Sequence, residues 1–73
     1  MISIEQRDLI YESCAAVYDD PEDATIIAEA TVIRIEESMI SFSEFVKSIL
    51  KRNGLSRKMQ KRLQDMLNQQ ANN

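Results

Sequence analysis

The stretch Asp20–Ile40, DPEDATIIAEATVIRIEESMI, decides the fold. It is the longest run without an internal breaker, and it opens on a helix start signal. Asp20 can cap, Pro21 suits the first helical position, and Glu22 and Asp23 fall in the first turn, where the macrodipole favours negative charge. At about 100° per residue, Ile26, Ala30, Ile33 and Ile40 share one narrow face, while Ala24, Ala28, Val32, Ile35 and Met39 share nearly the opposite one. Thr25, Glu29 and Glu36 lie along one seam between them; Asp23, Thr31, Arg34 and Ser38 line the other, with Ile27 as its apolar exception. Two apolar stripes separated by charge describe a helix that meets different things on two sides.

Outward from this stretch, the chain punctuates itself as further helices. Towards the N-terminus, Ser3-Ile4-Glu5-Gln6 fits a capping box. Ile4, Ile10, Tyr11, Cys14, Ala15, Val17 and Tyr18 form a broad face after it, with Leu9 and Ala16 apart on the far side. Asp19-Asp20-Pro21 ends that helix, because the residue before a proline is pushed out of the α region. Towards the C-terminus, Ser41-Phe42-Ser43-Glu44 is a second capping box, and Ile40 and Phe45 stand at the positions of a hydrophobic staple. Phe42, Phe45, Val46, Ile49 and Leu50 give one clean stripe, and Asn53-Gly54 stops it, with Leu55 returning towards Leu50. Ser56 caps a last helix whose stripe is Met59, Leu63, Met66 and Leu67. The expected architecture is a single all-α domain over 1–73. Its helices run at about 3–18, 21–39, 42–53 and 57–69, the second central, with a frayed polar tail at 70–73.

Composition agrees and excludes several function classes. The chain has one glycine, one proline, one cysteine and no histidine. Little punctuation is left for a sheet protein. No internal disulfide and no cysteine- or histidine-based metal centre can form, so no cofactor or metal is expected. A chain of 73 residues is small enough to need well-matched helix packing or oligomerisation. No apolar run approaches the roughly 20 residues of a membrane span. The start, MISIEQRD, lacks the basic region and apolar stretch of a secretory leader. The expected compartment is the cytoplasm.

Charge is divided unevenly. Residues 1–46 hold eleven acids against Arg7 and Arg34, a net of −9, whereas residues 47–73 hold seven bases against Asp65, a net of +6. Such a division bears on partners and not on fold. The acidic half can steer a basic surface. Within one molecule, it can also be balanced by the basic half.

Nothing in the chain reads as catalytic. There is no histidine base, no nucleophile with a partner and no glycine-rich phosphate loop. Cys14 sits among Ile10, Val17 and Tyr18 on an apolar face, the setting of a packed thiol. The acids of Asp19–Asp23 lack the glycine turn and the later bidentate glutamate of a calcium loop. Helix capping explains them. Ser43-Glu44-Phe45 is no calcium hand either, since Ile33 and Ile35 would then stand at the first two ligand positions.

The segment Val46–Leu63, VKSILKRNGLSRKMQKRL, carries a Gly-Leu-Ser-Arg turn between two helices with basic residues around it. It resembles the turn of helix-turn-helix domains. The resemblance implies a recognition helix from Ser56 that presents Arg57, Lys58, Lys61 and Arg62 to DNA. Leu50 and Gln60 depart from the small and apolar residues usual at those places. The same turn also resembles that of ribbon-helix-helix repressors, with Thr31–Glu36 as the strand; the acid Glu36 would then face phosphates. The expected function is a small non-catalytic regulatory or adaptor protein, of the kind carried by phages and plasmids. It acts by binding a protein, with itself as a homodimer first among the partners, through Ala24, Ala28, Val32, Ile35 and Met39. The alternative is a DNA-binding regulator.

Overall fold

Capping residues set the frame of the molecule. Four helices follow one another, α1 (Ile4–Val17), α2 (Pro21–Glu36), α3 (Phe42–Ile49) and α4 (Arg57–Ala71). They are seen in a computed structural model that describes the backbone of residues 1–71 and the side chains of residues 1–69. There is no strand among the described residues, and the fold is all-α. None of these helices is long and apolar enough to cross a membrane. The tail expected at 70–73 lies mostly outside the described residues, although the α4 backbone continues through Ala71.

Both capping boxes are formed. The Gln6 N–H donates to Ser3 Oγ at 3.0 Å, and the Ser3 N–H donates to Gln6 Oε1 at 3.0 Å. The Glu44 N–H donates to Ser41 Oγ at 3.0 Å, and the Ser41 N–H donates to Glu44 Oε1 at 3.2 Å. Asp20 caps α2 by accepting from the Glu22 N–H at 2.9 Å, with Pro21 in the first turn. Ser56 Oγ accepts from the Met59 N–H at 3.1 Å at the head of α4. Each cap satisfies a backbone donor that the helix cannot, worth about 1 kcal/mol.

The helix ends differ from expectation, for backbone reasons. α2 stops at Glu36, not at 39, because Ser38 takes φ 61°. The Ser38 N–H donates to the Ile35 carbonyl at 3.0 Å, and the Met39 N–H reaches back to the Arg34 carbonyl at 2.8 Å. This is a Schellman cap with serine where glycine is usual. A left-handed residue with a Cβ costs on the order of 1 kcal/mol. Ser38→Gly is therefore expected to stabilise the fold by about 0.5–1 kcal/mol after its own entropic cost, raising Tm by about 3–6 °C. Thermal unfolding followed by circular dichroism reads this directly, and a lowered Tm would mean that the Ser38 side chain makes an indispensable contact. α3 stops at Ile49 and not near 53. Beyond it the Lys51 and Arg52 N–H groups donate to the carbonyls of Ser48 and Ile49, three residues back, a tightened last turn.

The core collects Leu9, Ile10 and Cys14 from α1; Ala24, Ala28 and Val32 from α2; Phe42, Phe45, Val46 and Ile49 from α3; then Leu55 and Leu63. The Phe42 and Phe45 rings lie 6.2 Å apart, tilted, a spacing favourable for aromatic pairs. α2 packs chiefly along α1, and α1 also meets α3, which in turn meets α4. The face of α1 is turned from the one expected. Leu9 is fully buried, as is Ser13, whose hydroxyl donates to the Leu9 carbonyl at 2.6 Å, while Ile4 and Tyr11 are exposed. Ser13 is tolerated there because its own helix satisfies it. Gly54, at φ +114°, lets the α3–α4 connection lie against the last turn of α1, where a Cβ would come within 2.6 Å of the Ala16 carbonyl oxygen.

Candidate functional site

The chemistry-bearing groups are few. The Cys14 thiol is buried, and burial pushes its pKa up despite the nearby Arg52 charge, which acts in the opposite direction. A neutral, inaccessible thiol is a poor nucleophile. No group of acids and cysteine among the described residues is arranged to hold a metal ion.

Both faces of α2 have definite surroundings. Of the five residues expected to form a docking face, Ala24, Ala28 and Val32 are buried within the protomer, Ile35 is half-buried and Met39 is exposed. The physical reason is size. Two alanines one helical turn apart let α1 approach closely, so this stripe becomes the α1–α2 seam, with Thr31 beside it donating its hydroxyl to the Ile27 carbonyl at 2.8 Å. The opposite stripe is the free one. Ile26 is 64% exposed and Ile33 is 55% exposed, with half-buried Ala30 between them. Glu22 and Glu29 border it on one edge, Asp23 and Arg34 on the other, all exposed. Pro21, Glu22, Thr25 and Ile26 shape a shallow depression at its N-terminal end.

The sequence names both stripes and does not say which one faces inward. A signal was present. The alanine-rich stripe allows close helix approach, whereas the isoleucine stripe runs between acidic residues, as a wet face does.

The basic residues also separate. Arg57, Lys58 and Lys61 are exposed on α4, whereas Arg62 is half-buried and pairs with Glu12 of α1 at 3.2 Å. That is the one ion pair among the described residues, so the acidic and basic halves hardly meet by direct contact. The pair is about half exposed on both sides and is worth at most a few tenths of a kcal/mol. Residues 50–56 separate α3 from α4, longer than the 3–4-residue turn of helix-turn-helix units. Gln60 uses its side-chain amide to donate to the Leu55 carbonyl at 3.2 Å. Thr31–Glu36 is helical, so the strand implied by a ribbon-helix-helix resemblance does not form. No protein-family model, no curated protein and no solved structure matches the chain.

Proposed function

We propose that this protein is a non-catalytic adaptor whose outer α2 face takes a basic amphipathic helix of another protein. The observation that carries the reading is the pair Ile26 and Ile33, seven residues apart on one helix and more than half exposed. Such a pair offers two anchors to a helix laid alongside. The acids at its border, Glu22, Asp23 and Glu29, favour a partner with lysines or arginines beside its apolar stripe and speed its approach.

A second copy of this chain is the rival occupant. An antiparallel two-fold pair of α2 helices would set Asp23 near the symmetry mate of Arg34 on one edge. On the other edge it would oppose Glu29 to its own mate and Glu22 to the mate of Glu36. The acidic edge disfavours that arrangement, and salt would relieve it. The two occupants therefore respond to salt in opposite directions.

The test is titration of the 73-residue chain with two designed helical peptides. They share one leucine stripe and are flanked in one case by lysine, in the other by glutamate. The lysine peptide is expected to bind, to weaken as salt rises from 50 to 500 mM, and to lose at least tenfold in affinity with Ile26→Glu or Ile33→Glu. Equal binding of both peptides, or affinity unchanged by the substitutions, would overturn the reading. Self-association that strengthens with salt would give the face to a second copy. Tight binding of random duplex DNA that is lost with Lys58→Glu and Lys61→Glu would move the function to α4.

A further inference from the structure

A cleft of about 290 Å³ opens where α1, α2 and α3 meet, away from the outer α2 stripe. Its apolar wall is Ile27, Ile40, Phe45 and Ile49, and Cys14 lies in its floor. The polar groups around it are mostly committed. The Thr31 hydroxyl donates to the Ile27 carbonyl, and Glu44 closes the α3 capping box through Ser41. Just past the C-terminal end of α3, Arg52 lies over the Tyr18 ring with its guanidinium carbon 4.5 Å from the centroid, and among the described residues it has no carboxylate partner. Glu44, in the first turn of α3, and Arg52, three residues past its last, line the same cleft.

We infer that this cleft is a binding site for a small amphiphile carrying a single carboxylate. The chain lies along Ile27, Ile40, Phe45 and Ile49, and the carboxylate meets Arg52. The volume stands at the lower edge of the roughly 300–1,000 Å³ usual for ligand sites, which suits a medium-length aliphatic chain. The stacked guanidinium keeps its outward N–H groups in a planar fork that fits a carboxylate. One cation suits one negative charge, and Tyr18 is already covered, so neither a polyphosphate nor a stacked base is matched. Glu44 repels an anionic head at the far end and so fixes the direction of the chain. This inference stands on different residues from the proposed adaptor function and does not depend on it.

The experiment is amide chemical-shift mapping of the full isotope-labelled chain titrated below micellar concentration with decanoate, decanol and decyltrimethylammonium. Decanoate is expected to saturate one site, shifting Ile27, Phe45, Ile49 and Arg52, and to bind at least tenfold more tightly than decanol. The ammonium, which gains nothing from Arg52, should bind more weakly than decanoate, and any binding it shows should be insensitive to Arg52→Met. Arg52→Met should bring decanoate to the level of decanol while leaving decanol unchanged. Ile27→Trp, which fills the cleft from a half-buried position, should remove both. Equal affinity of the three probes, shifts gathered on Ile26 and Ile33 in place of the cleft, or decanoate binding unaffected by Arg52→Met would overturn the assignment.

Discussion

Val32→Glu is expected to abolish the cooperative unfolding transition at pH 7. Val32 is 5% exposed and belongs to the core cluster with Ala24 and Ala28. A carboxylate placed there loses its water, and the only buried polar side chains among the described residues are the neutral Ser13 and Thr31; the unpaired charge costs several kcal/mol. A chain of this length has about 4–11 kcal/mol of stability in total at typical values per residue, so one such substitution consumes most of it. The sign of the pH response is a second check. Burial raises the folded-state pKa of the introduced carboxyl above its unfolded value. Its destabilisation is therefore full at neutral pH and shrinks as pH falls through that raised value. The variant should regain helix as the pH is lowered from neutrality through that raised value. Val32→Met, apolar and only slightly larger, should cost less than about 1.5 kcal/mol.

Gly54→Ala is expected to cost on the order of 2–3 kcal/mol, lowering Tm by roughly 10–20 °C. Two effects add at this position. The φ of +114° is one that residues with a Cβ rarely adopt, and the new methyl would lie 2.6 Å from the Ala16 carbonyl oxygen. That oxygen is backbone, and it cannot retreat without moving the last turn of α1, where the Tyr18 N–H donates to the Cys14 carbonyl at 3.0 Å. Urea titration gives the magnitude. A loss below about 0.5 kcal/mol would mean that the α3–α4 connection shifts freely and that Gly54 does not fix it against α1. Gly54→Ala and Ser38→Gly thus exchange the same two kinds of residue at two positive-φ positions, with opposite expected signs.

The local punctuation was legible because it is local. Ser3, Asp20, Ser41 and Ser56 each cap the helix the sequence assigns to them, since capping needs only a side-chain oxygen and an N–H two or three residues on. The rotation of α1 was not legible. Its apolar residues are spread widely enough to permit two faces. The choice of Leu9, Ile10, Ser13 and Cys14 over Ile4, Tyr11 and Ala15 depends on what lies opposite. Ser13 conceals its compatibility with the core, because a serine bonded to its own helix is nearly as acceptable there as an alanine. α2 poses the same difficulty on a larger scale. Periodicity finds its two stripes, but only packing against α1 decides that Ala24, Ala28 and Val32 go inside and that Ile26 and Ile33 stay out. The Arg52–Tyr18 end of the cleft brings together residues 34 positions apart, which no local pattern marks.

α2 is committed on one side and free on the other, and neighbouring residues test this division. Thermal unfolding of Ile33→Glu, measured beside Val32→Glu under identical conditions, is the most direct measurement. Ile33 is 55% exposed, so its substitution should change stability by no more than about 0.5 kcal/mol and leave Tm within roughly 4 °C of the parent, while Val32→Glu shows no cooperative transition. A folded, cooperative Val32→Glu together with an unfolded Ile33→Glu would mean that the two faces of α2 are the reverse of those described.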